Sequence, residues 1–94
     1  MPIQMRRYEL DPALVEEFLV FFHELTKVRS QFGFRLLSAY LDRTNHEFTW
    51  FVEHDQEFAD AEAIYNASPE RTAFFAGRPK FASALHVSLV EPIA

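Results

Sequence analysis

Hydrophobic and polar positions along this chain follow two alternating rhythms. Residues 3–10, IQMRRYEL, read as a first strand. Asp11-Pro12 then supplies a helix N-cap and a proline at the first helical position. From there Leu14, Phe18, Phe21, Phe22, Leu25, Val28 and Phe32 recur at intervals of three and four, the period of one helix face. Glu16 and Glu17 sit in the early turns, where the helix dipole favours negative charge, and Gly33 provides a C-terminal stop. Residues 34–43, FRLLSAYLDR, read as a second strand and 47–54, EFTWFVEH, as a third. Between them, 44–46 form a hairpin turn with Asn45 suited to a left-handed conformation. A helix over 56–66 follows, capped by Asp55, with Phe58, Ala61, Ala63, Ile64 and Tyr65 among its residues. Ser68-Pro69 opens another helical segment that stops at Gly77, and 84–91, ALHVSLVE, form the last strand.

The order βαββαβ predicts an α+β, ferredoxin-like fold: a four-stranded antiparallel sheet with its helices on one face. Strand alternation then sorts the side chains. Leu37, Ala39 and Leu41, then Phe48, Trp50 and Val52, then Leu85, Val87 and Leu89 form purely apolar sets expected to meet the helices. The opposite sets are mixed: Phe34, Leu36, Ser38 and Tyr40; Thr49, Phe51 and Glu53; Ala84, His86, Ser88 and Val90. They are too apolar to be left in water, so a second copy of the same sheet is expected to cover them, giving a homodimer.

Composition narrows the function. The chain has 94 residues, the size of one domain (1–94), and is 49% hydrophobic with eleven Phe, which excludes a disordered chain. Its net charge is −5, with no dense Lys/Arg cluster, which speaks against nucleic acid as a partner. With no cysteine there is no disulfide, thiolate catalysis or Cys-ligated metal. The first residues carry no signal-peptide core, and no apolar run approaches the roughly 18–20 residues of a membrane helix. A cytoplasmic protein with no membrane partner is expected.

The candidate chemistry is sparse. His54, flanked by Glu53 and Asp55, ends the third strand on the helix side. It is either a strand-end histidine near a helix start or a general acid/base at the mouth of a sheet–helix cleft. Trp50 and Tyr65 would be the wall and the hydrogen-bond donor of that cleft, or simply core. Arg6, Tyr8, Tyr40, Glu53, His86 and Ser88 are assigned to the dimer-facing side, as a polar network that fixes the dimer's register or as an anion- or enol-binding site. His23 reads as a surface residue and His46 as turn chemistry. His54 and His86 are placed at opposite ends of the sheet, and no metal-ligand spacing, phosphate loop or nucleophile elbow is present, so no metal or cofactor is expected.

Three stretches carry a family resemblance. RRYELDPALVEEF (6–18), QFGFRLLSAYLD (31–42) and YNASPERTAFF (65–75) resemble the NIPSNAP-like branch of the dimeric α/β-barrel superfamily, and the order of elements agrees with it over nearly the whole chain. The resemblance implies two ferredoxin-like sheets facing each other across a dimer axis. It carries no activity over: relatives include cofactor-free monooxygenases, lactone isomerases and haem-degrading enzymes, and many NIPSNAP-like proteins have no assigned reaction. In the enzymes, ligands often lie between sheet and helices. The expected function is therefore binding of a small apolar ligand in that cleft, with cofactor-free monooxygenase- or isomerase-like chemistry. The alternative is a non-enzymatic homodimeric interaction module.

Overall fold

The computed structural model describes residues 2–94. Strand β1 (Ile3–Leu10) leads through a 3-10 turn at Pro12–Leu14 into helix α1 (Val15–Ser30). Then come β2 (Arg35–Asp42), β3 (Glu47–Glu53), α2 (Phe58–Asn66), α3 (Pro69–Phe75) and β4 (Ala82–Val90). The strands form one sheet in the order β2-β3-β1-β4, and every neighbouring pair is antiparallel. This is the expected ferredoxin-like arrangement.

Two of the expected caps form. The Asp11 carboxylate accepts the Ala13 N–H at 2.9 Å, and the Ser68 hydroxyl accepts the Arg71 N–H at 3.2 Å. Asp55 does not cap α2; it pairs with Arg35 at 2.8 Å, and α2 begins later without a side-chain cap. In the hairpin the left-handed residue is His46 (φ 56°), not Asn45. Asn45 is held instead by Asp42, whose carboxylate takes the Thr44 and Asn45 N–H groups and the Asn45 side chain. That side-chain bond is the main reason the Asp42 carboxyl lies below the usual range.

The core is the aromatic stripe of α1 on the centre of the sheet. Phe18, Phe22 and Leu25 bury themselves with Phe48, Trp50 and Val52 of β3 and with Tyr8 and Leu10 of β1. Ring contacts such as Phe22–Trp50 (5.2 Å, edge to face) and Phe18–Phe48 (5.0 Å) join the layers.

Pairing register corrects the assignment of faces, because residues directly opposite in an antiparallel pair share a face. Arg6 lies opposite Trp50 and Val87, and Tyr8 opposite Phe48 and Leu85. Both therefore point toward the helices, not toward the dimer side. In β2 an extra residue, Leu37, sits between Leu36 (opposite Val52) and Ser38 (opposite Phe51). This bulge reverses the alternation, so Leu36 turns to the helix side and Phe34 enters the core. In β4, Leu85, Val87 and Leu89 do face the helix side but remain 47%, 46% and 59% exposed. The helical layer covers β1 and β3 and stops short of this edge.

Gly33 shows why α1 must end where it does. Its φ is +88°, and a Cβ there would lie 2.8 Å from His54 Nε2. Gly77 is also left-handed (φ +74°) but faces open space. Gly33→Ala is expected to cost about 2–3 kcal/mol, from the backbone conformation plus the displaced histidine. Gly77→Ala should cost only about 1 kcal/mol. Urea unfolding of the two variants measures the difference; equal losses would mean that His54 gives way freely.

Candidate functional site

The region expected to form the site is filled. His54 is buried, and both of its ring nitrogens are used. Nε2 lies 2.6 Å from the Phe32 carbonyl, and Nδ1 accepts the Gln56 N–H at 3.0 Å. A carbonyl only accepts, so the proton sits on Nε2, and this single tautomer satisfies both partners. The ring also packs edge-on against Phe34, with centroids 4.6 Å apart. His54 thus ties the end of β3 to the Gly33 turn. Trp50 is enclosed by Phe22, Arg29 and Arg6. Of the three residues assigned to the cleft, only Tyr65 lines an open space.

That space lies further along the sheet, between β1–β4 and the helices. It has two adjoining chambers. The inner one, about 340 Å³, is lined by Arg6, Arg29, Glu62, Tyr65 and Arg71, with Tyr8 and Val87 completing its floor. The outer one, about 360 Å³, is walled by Phe18, Phe21, Phe75, Phe81 and Leu85, with Arg78 and Lys80 at its rim. Arg6, Tyr8, Leu25, Arg71 and Phe75 border both.

Electrostatics set this cleft apart from the rest of the molecule. Arg29 is only 3% exposed. Its guanidinium lies 4.2 Å from the Phe34 ring centre, 4.8 Å from Tyr65 and 5.4 Å from Trp50. Its charge is met by Glu62, whose Oε1 accepts Nη2 at 2.7 Å and stands 3.6 Å from Arg6 Nη1. Arg6 also donates to Tyr8 and Gln4. Arg71 stacks over Phe75 at 4.4 Å and near Tyr65 at 5.8 Å, with no carboxylate partner among the described residues. Among the described residues, Arg29 Nε, Tyr65 Oη and Arg71 Nε of the inner chamber's lining residues are buried without a hydrogen-bond partner, as is Trp50 Nε1 in the core beside them. Burial pushes the Tyr65 hydroxyl above its usual pKa; the Arg29 and Arg71 charges oppose this without cancelling it. Tyr65 is therefore a neutral donor at physiological pH.

The residues assigned to one dimer-facing network divide between the two faces of the sheet. Arg6 and Tyr8 belong to the cleft. Tyr40, Glu53, His86 and Ser88 lie on the open sheet face, but Glu53 pairs with Arg35 at 3.0 Å and His86 with Glu9 at 2.7 Å, in separate strand pairs. His86 sits opposite Arg7, well away from His54 beyond the end of β3. His23 is exposed on α1. Arg29, Glu62 and Arg71 are the site residues that sequence reading missed. A signal for the first was present: Arg29 follows Leu25 by four on the same helical stripe as Phe18 and Phe22, a charged residue on an apolar face.

Removing Glu62 leaves Arg29 buried without a counter-ion. Glu62→Gln is expected to lower stability by about 3 kcal/mol, whereas the double variant Arg29→Met, Glu62→Met should lose clearly less, since an apolar pair of similar volume restores packing. Urea unfolding of these variants measures this, and a double-mutant cycle with the Arg29→Met and Glu62→Met single variants gives the coupling; additive losses would mean that the ion pair is not coupled.

The sequence matches no family model and no curated protein. The structure does have likenesses among solved proteins. An uncharacterized NIPSNAP domain protein from Burkholderia xenovorans superposes with a TM-score of 0.84 at 20% identity, over 100% of this chain and 96% of that one. A NIPSNAP family protein of unknown function from Agrobacterium tumefaciens gives 0.84 at 14% identity, over 98% and 87%. An antibiotic biosynthesis monooxygenase gives 0.71 at 16% identity, over the full length of both chains. At these identities the likeness is one of fold, and in fold this chain is NIPSNAP-like.

Proposed function

We propose that this protein binds a small organic anion in the cleft between the β1–β4 half of its sheet and its helices. It does so as a homodimer whose two sheets pack through their open faces into a dimeric α/β barrel. One observation carries the reading of the ligand. The chain has nine Lys and Arg residues and a net charge of −5, yet five of the nine (Arg6, Arg29, Arg71, Arg78 and Lys80) line the two chambers. Glu62 is the single carboxylate lining them, and it is already held by Arg29 and Arg6. A cleft of one sign in a protein of the other concentrates the opposite charge, here an anion. The aromatic wall of the outer chamber keeps the ligand partly apolar, so an amphipathic anion replaces the small apolar ligand expected from sequence. Binding rather than turnover is the function these groups support, since they are hydrogen-bond donors and one neutralised carboxylate.

The dimer is supported by what the open face displays. Met5, Phe51 and Tyr40 lie there, with Tyr40 62% exposed and edge-on to Phe51 at 6.4 Å. A sheet face of this kind needs a cover.

Two measurements test the proposal. Thermal melts against a panel of small anions at low salt should show stabilisation, about 2.7 kcal/mol at a hundredfold excess over Kd, or roughly 11–22 °C. Added salt should weaken it. Light scattering should give twice the chain mass for the native protein and the single chain mass for Phe51→Asp. A dimer indifferent to every anion would favour the interaction-module reading; a native monomer would remove the barrel.

A further inference from the structure

The division of the cleft into a charged chamber and an aromatic one specifies its ligand more closely. Resting on the anion-binding reading above, the geometry points to a monocarboxylate with an extended apolar body: head in the inner chamber, body in the outer.

The head group follows from which donors are free. Glu62 neutralises one guanidinium and is shared between two. Among the described residues Arg71 has no carboxylate partner, and its Nε is buried without an acceptor. Its guanidinium carbon lies 4.4 Å from the centre of the Phe75 ring, a cation–π contact that uses none of its N–H donors. A carboxylate matches the N–H edge as a two-oxygen fork; a phosphate can take the same fork, but its second charge and remaining oxygens need further donors around it. The neighbouring Tyr65 hydroxyl, held neutral by burial and also without an acceptor, adds one more donor. This set fits one carboxylate and would leave a second charge unmet.

The body follows from the other chamber. Arg71 and Phe75 border both spaces, so a group bound to Arg71 continues directly into the outer one. There the walls are Phe18, Phe21, Phe81 and Leu85, and the cations at its rim stay near water: Arg78 is exposed, lies over Phe21 and Phe74, and donates to the Phe74 carbonyl. Apolar surface entering this chamber leaves water, and each buried methylene strengthens binding by about fourfold at most.

The test is titration calorimetry of the intact protein with acetate, octanoate, octanol and inorganic phosphate, all below any micelle concentration. Octanoate is expected to bind once per chain, about a hundredfold or more tighter than acetate. Phosphate and octanol should each be at least about tenfold weaker than octanoate. Arg71→Met keeps the stem on Phe75 and should cost octanoate roughly tenfold or more while leaving octanol unchanged. Leu85→Gln, at an exposed strand position, should shrink the gap between octanoate and acetate. Urea unfolding confirms that both variants fold. Acetate binding as tightly as octanoate would overturn the apolar body, and phosphate doing so would overturn the carboxylate head, either one leaving the anion site standing. Octanol matching octanoate, or octanoate indifferent to Arg71→Met, would overturn the carboxylate head. If none of the probes binds, the anion reading falls and this inference with it.

Discussion

The burial of one guanidinium organises this protein. Arg29 sits in the aromatic layer against Phe34, Tyr65 and Trp50, so it fixes how α1, the entry to β2, β3 and α2 meet. A charge taken so far out of water is costly unless it is paired, and Glu62 supplies the pair from α2. The backbone of the same residue contributes too. Its carbonyl accepts the Phe32 and Phe34 N–H groups, which shapes the turn through Gly33. That turn presents the Phe32 carbonyl to His54 and leaves room for the ring where a Cβ would otherwise stand. The histidine flanked by two acids in the sequence is a strut, and its environment descends from Arg29.

The charge distribution follows from the same layout. On the surface, Arg7, Arg35 and Arg43 are each matched to carboxylates, which in water contribute little to stability. Inside the cleft the balance is different, because aromatic rings rather than carboxylates face Arg71 and Arg78. Rings stabilise a cation without neutralising it. Stacking therefore holds these guanidiniums in place while preserving their field, which is what a preorganised anion site requires.

The sheet's two faces and its free edge complete the picture. The helical layer protects the centre of the sheet and leaves Leu85, Val87 and Leu89 of β4 uncovered. Leu85 and Val87 then serve as the floor of the two chambers instead of as core. The two chambers exist because the helices do not reach the last strand.

Local signals were sufficient for the elements and their order. The three-and-four spacing of Phe18, Phe22 and Leu25, the Asp11-Pro12 and Ser68-Pro69 starts and the glycine at 33 are all short-range chemistry, and each reads directly from the chain. The faces of β1 and β2 were not legible. Arg6 and Tyr8 could be placed only once Trp50 and Phe48 were seen opposite them, and one extra residue at Leu37 reversed an alternation that looked continuous. The site lay deeper still. Arg29 carried a trace, as a charge on an apolar stripe, but nothing local marks Glu62 as its partner 33 residues away or Arg71 as unpaired. Sequence alone determined the secondary structure and the fold class, because those depend on neighbours in the chain. Tertiary structure alone decided which cations stayed unneutralised and where the space opened, because both depend on what the folded chain brings together from a distance.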